Sequence, residues 1–230
     1  VTVCTNAHFA DFVRAHGLHY GPMNNGFVDL ITSLEGRAGL ERMTSLPGTL
    51  RTVARLLPRI GPLQRETLDD AWACVQSTRP DLILFHPKLP GVVDMADALG
   101  VPAIMVPLFP QVVPTSAFPA VGFPPLPLGD GYRRLTYRIV EALTNRLGSG
   151  PIHAWRRSQG LGRRPPRLGM LTDRQGRPIP VLHGFSSAVC PRPADWPEAA
   201  LTCGFWTLDA APDWTPPPAL RDFLGAGPPP

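Results

Sequence analysis

The sequence predicts an α/β protein with a Rossmann-like, doubly wound and mostly parallel sheet. Two strand–helix–strand units carry this prediction, one over residues 1–23 and the other over residues 82–106. A third observation is the unbroken apolar run at 82–85, of the kind that a parallel sheet buries on both faces. With 230 residues and 43% hydrophobic content, the chain suffices for one large or two small domains.

The first unit opens with the β-branched strand VTVCT, followed by the helical segment NAHFADFVRAHG. We expect Asn6 to cap this helix and Gly17 to end it. Phe9, Phe12 and Val13 share one face. LHYGPM then predicts a short second strand.

Apolar residues at three-to-four spacing predict a helix over 44–77, which Pro58 and Pro62 should kink or divide. The residues that define this spacing are Leu46, Leu50, Val53, Leu57, Ile60, Leu68, Ala71, Trp72 and Val75. The second unit then comprises the strand at 82–85, the helix GVVDMADALG with Gly100 as its end, and the strand VPAIMV.

Residues 107–130 contain seven prolines and show no periodicity, which predicts a long loop directly after a buried strand. Its aromatic and aliphatic residues give it apolar surface to bury, so we expect order. Beyond it the sequence predicts helices at 132–147 and 152–158, and final strands in IPVLHGFS and AALTCGFW.

The charge is unevenly distributed. Residues 131–177 hold 11 arginines against Glu141 and Asp173, so the rest of the chain is net negative. Such a region either attracts an anionic surface, such as lipid headgroups, or forms solvated helix faces. No zinc-finger spacing or RNA-binding signature supports nucleic-acid binding. The four separated cysteines are expected to be reduced thiols, and the absence of a signal or membrane-spanning run indicates a cytoplasmic protein.

In open parallel sheets, ligands bind beyond the carboxyl ends of the strands. His86 and Lys88 follow one such end, where a histidine near pKa 6.5 can accept a hydroxyl proton. The alternative is structural: His86 bonds a loop carbonyl and Lys88 reaches solvent. No glycine-rich phosphate loop is present, which argues against a dinucleotide-dependent reductase.

Four segments, in order, resemble the amino-terminal half of two-domain GT-B glycosyltransferases. They are VTVCTNAHFADFVRAHGLHYGPM, DLILFHPKLPGVVDMADALGVPAIMVPLFPQVVPTSAFP, GYRRLTYRIVE and VLHGFSSAVCPRPADWPEAALTCGFWTLD. The similarity covers nearly the whole chain, and its family 28-like pattern resembles that of sterol 3-beta-glucosyltransferases and of macrolide and glycopeptide-antibiotic glycosyltransferases. Its most specific parts are HPK leading into PTSAFP, and PRPADWP followed by TCGFWTLD.

The resemblance implies one half of a GT-B fold that lacks its first strand. Family members begin with a strand and a GTRGDVQP-like turn that carries the catalytic base, so we expect this base upstream of residue 1 and no catalytic residue within the chain. Residues 1–208 would form the acceptor-binding domain. Residues 209–230 would form a linker and short helix leading to an absent domain that binds the nucleotide-sugar.

The implied function is transfer of a hexose from a nucleotide-sugar, expected to be UDP-glucose, to a hydroxyl of a sterol or another hydrophobic acceptor. A nucleotide-sugar co-substrate is implied, but no cofactor and no metal. Arg-rich 131–177 would provide peripheral contact with an anionic membrane. The residues expected to bind the acceptor are His86, Lys88, Phe109, Gln111, Thr115 and Phe118. The competing hypothesis is a non-catalytic binding module in which an acceptor-type domain acts without a donor half.

A doubly wound sheet places its first strand at the centre. If that strand is missing, the strands at 1–4 and 82–85 either become neighbours or stay apart with two unpaired edges.

Overall fold

The computed structural model describes residues 1–33, 46–89, 91–162, 169–209 and 214–228, with side chains outside 46–57 and 147–149. Its elements, in chain order, are β1 (Thr2–Asn6), a 3-10 turn (Ala7–Phe9), α1 (Ala10–Ala15), β2 (His19–Met23), α2 (Gly26–Thr32), α3 (Leu46–Thr78), β3 (Ile83–Phe85), α4 (Val92–Leu99), β4 (Ala103–Met105), α5 (Gly129–Ser158), β5 (Val181–His183), β6 (Ala200–Thr202) and α6 (Pro218–Gly225).

The strands form two parallel sheets. β1 pairs with β2, with Thr2 opposite His19, and the second sheet has the order β3-β4-β5-β6. All pairings in both sheets are parallel. The α/β class and the parallel sheet are therefore confirmed. β1 and β3 lie in different sheets, so the strands at 1–4 and 82–85 have not closed together.

The start of the first helix differs from the sequence prediction. It begins with a 3-10 turn, and Asn6 does not cap it, because the Asn6 side-chain amide donates instead to the Asn24 carbonyl at 2.5 Å. Of the shared apolar face only Val13 is buried, while Phe9 and Phe12 are exposed. Gly17 follows the helix with φ +69°, the left-handed conformation that glycine adopts without strain.

The helix α3 packs against both sheets. It contacts β1, β2, α4 and α5 and runs without interruption through Pro58 and Pro62. Leu68 and Ala71 lie in the core, and Trp72 meets Trp155 of α5 edge to face. This packing stabilises the helix despite the backbone hydrogen bonds that the prolines cannot donate. The predicted core side chains Leu46, Leu50, Val53 and Leu57 lie outside the described side chains.

The four-stranded sheet is covered on one face. Side chains alternate along parallel strands, so Phe85, Met105 and Val181 point to one face, where they join the core with α3, α4 and α5. Leu84 and Leu201 point to the opposite face and are 54% and 50% exposed. The expectation that both faces of 82–85 are buried is therefore wrong, because the helices described against this sheet all pack on one side.

The helix α5 is continuous where the sequence predicts two helices, at 132–147 and 152–158. α5 runs from Gly129 to Ser158 through Pro151 and is anchored by Trp155 and Arg156, both buried. The Arg156 guanidinium donates to the Asp94 carboxylate of α4 and to the Gly162 carbonyl. The predicted strands in IPVLHGFS and AALTCGFW are present as β5 and β6, and the short helix expected near the end is α6. The described helices include none long and apolar enough to cross a membrane.

The loop at 107–130 has no helix or strand before α5, yet it is fastened along its length. Ala120 donates its amide to the Thr136 hydroxyl at 2.8 Å, and the Tyr132 hydroxyl donates to the Pro124 carbonyl at 2.8 Å. Val113 and Ala120 are buried, so the loop does bury apolar surface, as the sequence predicts.

The buried His183 of β5 makes stability depend on pH. Its ring stacks on Trp196 at 4.3 Å, its Nδ1 lies 3.1 Å from the Leu201 carbonyl, and its Nε2 has no partner among the described residues. Burial lowers the pKa of His183 below its ordinary 6.5.

Because the folded protein favours the neutral ring, this contribution to stability is complete above about pH 6.5 and is lost as the pH falls below it. We expect the urea midpoint to fall between pH 7.5 and pH 5.5, with a slope of at most about 1.4 kcal/mol per pH unit from this group. His183→Phe should flatten the pH profile. An unchanged profile in His183→Phe would contradict the assignment.

Candidate functional site

The carboxyl ends of β3, β4, β5 and β6 form one continuous edge. Gly184, after β5, donates its amide to the Pro107 carbonyl after β4 at 3.1 Å. Gly204, after β6, donates to the Phe185 carbonyl at 3.1 Å. Because β3 and β4 are paired in register, His86 and the segment from Pro107 leave the sheet side by side. The loops that carry the predicted residues therefore start from the same edge.

His86 is held as a hydrogen-bond donor. Its Nδ1 lies 3.2 Å from the Lys88 amide, which donates to it, so in the neutral ring the proton is on Nε2. Burial, followed by the charge of Lys88, lowers the pKa of His86, which favours the neutral ring. In this tautomer the other ring nitrogen carries an N–H rather than a lone pair, which suits recognition of an oxygen better than removal of a proton. Lys88 is exposed.

The apolar part of the edge comprises Leu108, Phe109, Phe205 and Trp206, all exposed. A Cβ on Gly184 would lie 3.5 Å from Leu108 and 3.8 Å from Trp206, so these two side chains flank the glycine. Only Phe109 was singled out from sequence. The glycine–aromatic sequence directly after a strand, in TCGFW, is the signal that identifies Trp206.

Gln111 contributes a buried donor. Its side-chain amide nitrogen is inaccessible and has no partner among the described residues, which is costly for a polar group. Phe118, in contrast, is partly buried and packs against the hydrophobic core. Of the two, only Gln111 has a polar group that is unpaired among the described residues.

Thr115 has a different environment from the other predicted residues. It is buried, and its hydroxyl donates to Asp195 Oδ1 at 2.6 Å. Asp195 also accepts from the Ser116 amide at 2.7 Å and hydroxyl at 2.8 Å. These bonds, with that from Thr115 the largest cause, lower the pKa of Asp195 to about 2. Thr115 thus fastens the long loop to the turn before β6. Its hydroxyl proton is engaged by Asp195 and is not free for a ligand.

A separate cleft of about 390 Å³ lies between α5 and this fastened loop. It is lined by Pro114, Arg134, Tyr137, Arg138, Glu141 and Asp195, none of them predicted from sequence as a site residue. Two arginines and two carboxylates balance its charge. Arg134 lies 3.5 Å from Asp195. The Tyr137 hydroxyl is buried without a described partner, and burial raises its pKa.

Comparison with known proteins identifies the relationship. The chain is 30% identical over 224 residues to a sterol 3-beta-glucosyltransferase of Emericella nidulans and 27% identical over 223 residues to one of Aspergillus fumigatus. Each match covers 96% of this chain but only 15% of the relative's length. No protein-family model matches the chain.

A solved structure shows the same fold. The crystal structure of the glycotransferase of kitacinnamycin matches with a TM-score of 0.53 at 17% identity, over 95% of this chain and 48% of that protein. The chain is therefore homologous to a segment of the sterol 3-beta-glucosyltransferases and has the fold of one half of a GT-B glycosyltransferase.

Proposed function

We propose that this chain is the acceptor-binding part of a hexosyltransferase that moves a hexose from UDP-glucose, or a related nucleotide-sugar, to the hydroxyl of a sterol or another hydrophobic alcohol. Residues 1–208 bind the acceptor, and residues 209–230 lead to the part of the enzyme that binds the donor. The glucosyltransferase names of the relatives support glucose as the sugar. The enzyme acts in the cytoplasm.

The observation that carries the proposal is the composition of the carboxyl edge. Leu108, Phe109 and Trp206 offer an apolar surface that a flat hydrocarbon skeleton can cover. His86 Nε2 supplies an N–H donor for the single hydroxyl of such a molecule, and the buried, unpaired Gln111 amide supplies a second when its side chain turns toward the ligand. An apolar surface with few donors suits a sterol better than a free sugar, which would need many polar contacts.

The proposal also implies that this chain alone has no transferase activity. Transfer requires a positioned base and a donor held in line with the acceptor. The hydrogen bond at His86 Nδ1 leaves an N–H on its other nitrogen, and the sequence has no glycine-rich phosphate loop. Acceptor binding without turnover is therefore expected.

Energy transfer from tryptophan to dehydroergosterol, a fluorescent sterol, tests binding directly. The 230-residue chain should bind this sterol, and Phe109→Ala and Gln111→Ala should each weaken binding, by about tenfold for Gln111→Ala because a bond to the hydroxyl is lost. Gln175→Ala, in an exposed turn, is the matched control and should bind like the parent.

Two results would contradict the proposal. Absence of sterol binding, or equal binding by Gln111→Ala and Gln175→Ala, would remove the acceptor role assigned to this edge. Incubation with labelled UDP-glucose and the same sterol should give no product above blank, and any turnover would overturn the assigned inactivity. Binding by this chain, together with turnover by a longer protein that includes it, would exclude the non-catalytic module.

A further inference from the structure

The amino-terminal half of α5 exposes aliphatic side chains and buries polar ones. Leu135, Ile139 and Leu143 recur every four residues and so lie in one row, with 50%, 38% and 52% of their surfaces exposed. The buried side of the same stretch is made by Thr136 and Tyr137. A surface helix in water normally has the opposite arrangement, with its aliphatic row inward.

Arginines lie beside this row. Arg134, Arg138 and Arg146 are exposed on the same outward side of α5. Arg138 and Arg146 form no ion pair within the described part of the chain. Arg134 lies 3.5 Å from Asp195, which is its counter-ion. The positive charges of Arg138 and Arg146 are therefore the ones available to a partner.

One acidic residue borders this side. Glu141 is the only acidic residue of Gly131–Arg146, and its carboxylate points toward Gly169, where a Cβ would come within 2.9 Å of it. It therefore lies at the margin of the outward side.

The aliphatic surface extends beyond the helix. Val121, Leu126 and Leu128 of the preceding loop are exposed, and the Tyr132 hydroxyl holds this loop beside the start of α5 through the Pro124 carbonyl.

We propose that this surface docks on an anionic lipid bilayer. The docking face comprises Leu135, Arg138, Ile139, Leu143 and Arg146. Aliphatic side chains enter the boundary between headgroups and acyl chains, while arginines in the same plane meet phosphate and carboxylate groups. The charge complementarity favours an anionic membrane, and the aliphatic row favours a bilayer over a polyanion such as nucleic acid, which offers no apolar layer.

The docking face is smaller than the arginine-rich region 131–177, which the sequence alone suggests as the membrane contact. Arg156 is buried against Asp94, and Arg177 pairs with Asp173. Arg133 pairs with Asp130 and donates to the Ser116 carbonyl. Arg163, Arg164 and Arg167 lie outside the described residues. Membrane contact is thus assigned to one side of one helix, independently of the sterol-binding proposal.

Vesicle flotation tests the docking face. The chain should float with vesicles containing about one third phosphatidylserine in phosphatidylcholine, should bind pure phosphatidylcholine far less, and should lose binding as salt rises. Arg138→Gln/Arg146→Gln should lower partitioning about 25-fold, or about fivefold for each arginine. Leu135→Gln/Ile139→Gln/Leu143→Gln should lower it even at low salt.

The matched control is Arg221→Gln/Leu224→Gln, which removes an exposed arginine and leucine from α6 and should bind like the parent. Circular dichroism melts confirm that each variant is folded. Equal binding to neutral and anionic vesicles, or unchanged binding in the docking-face variants, would overturn the proposal. So would self-association without lipid that the triple variant abolishes in sedimentation velocity, since the face would then bind a second copy.

Discussion

Replacement of Arg156 by alanine is expected to lower the free energy of unfolding by about 3–5 kcal/mol, as is usual when one partner of a buried ion pair is removed. The two side chains of the pair are 6% and 3% exposed, so water cannot replace the lost guanidinium. The substitution removes the guanidinium that donates to the buried Asp94 carboxylate and to the Gly162 carbonyl. Urea denaturation followed by circular dichroism measures the loss.

The neighbouring Arg157 provides the control, since it lies one residue further along the same helix and is exposed. Arg157→Ala should change stability by less than about 0.5 kcal/mol. In the double variant Asp94→Ala/Arg156→Ala the loss should be smaller than the sum of the single losses, because both substitutions remove the same contact. Equal, small losses in Arg156→Ala and Arg157→Ala would contradict the role assigned to the buried pair.

Replacement of Trp155 by alanine should lower the free energy of unfolding by about 3–5 kcal/mol, because the packing of the ring is lost and a cavity remains. Trp155 is 0% exposed and meets Trp72 of α3 with ring centroids 5.7 Å apart and planes at 86°. This contact joins the two longest helices of the described fold. Urea denaturation should show an earlier midpoint.

Trp214 is the matched control for this experiment, because it is 59% exposed. Trp214→Ala should leave the midpoint within the range of ordinary surface substitutions, about 0.5 kcal/mol. A similar effect of the two substitutions would mean that the junction of α3 and α5 contributes little to folding.

These two residues explain why α5 continues through Pro151. Local sequence favours a break at the proline, since it lacks an amide hydrogen and crowds the preceding turn. Trp155 and Arg156 immediately follow and are fixed by Trp72 and Asp94, which come from α3 and α4. Long-range packing therefore holds the last turns of the helix in place, and this information is absent from the local pattern.

The candidate site was predicted in part. The edge that carries His86, Lys88, Phe109 and Gln111 follows from a general rule about parallel sheets, because residues after consecutive parallel strands emerge at one end. Leu108 and Trp206 meet there only because β4 and β6 flank β5, a strand order that the sequence does not state. The role of Thr115 depends on Asp195, which is 80 residues away.

By itself the sequence determined the α/β class, the parallel strand–helix units, the ordered proline-rich loop and the glycosyltransferase relationship. These depend on apolar periodicity, on glycines and on motifs, all of which are local. Only the tertiary structure decided that β1 and β3 lie in separate sheets, that Leu84 faces outward and that Arg156 is buried while Arg138 is not. The physical reason is that burial and pairing depend on which distant elements cover a surface, and the same arginine or leucine is stable in either environment when its partners allow it.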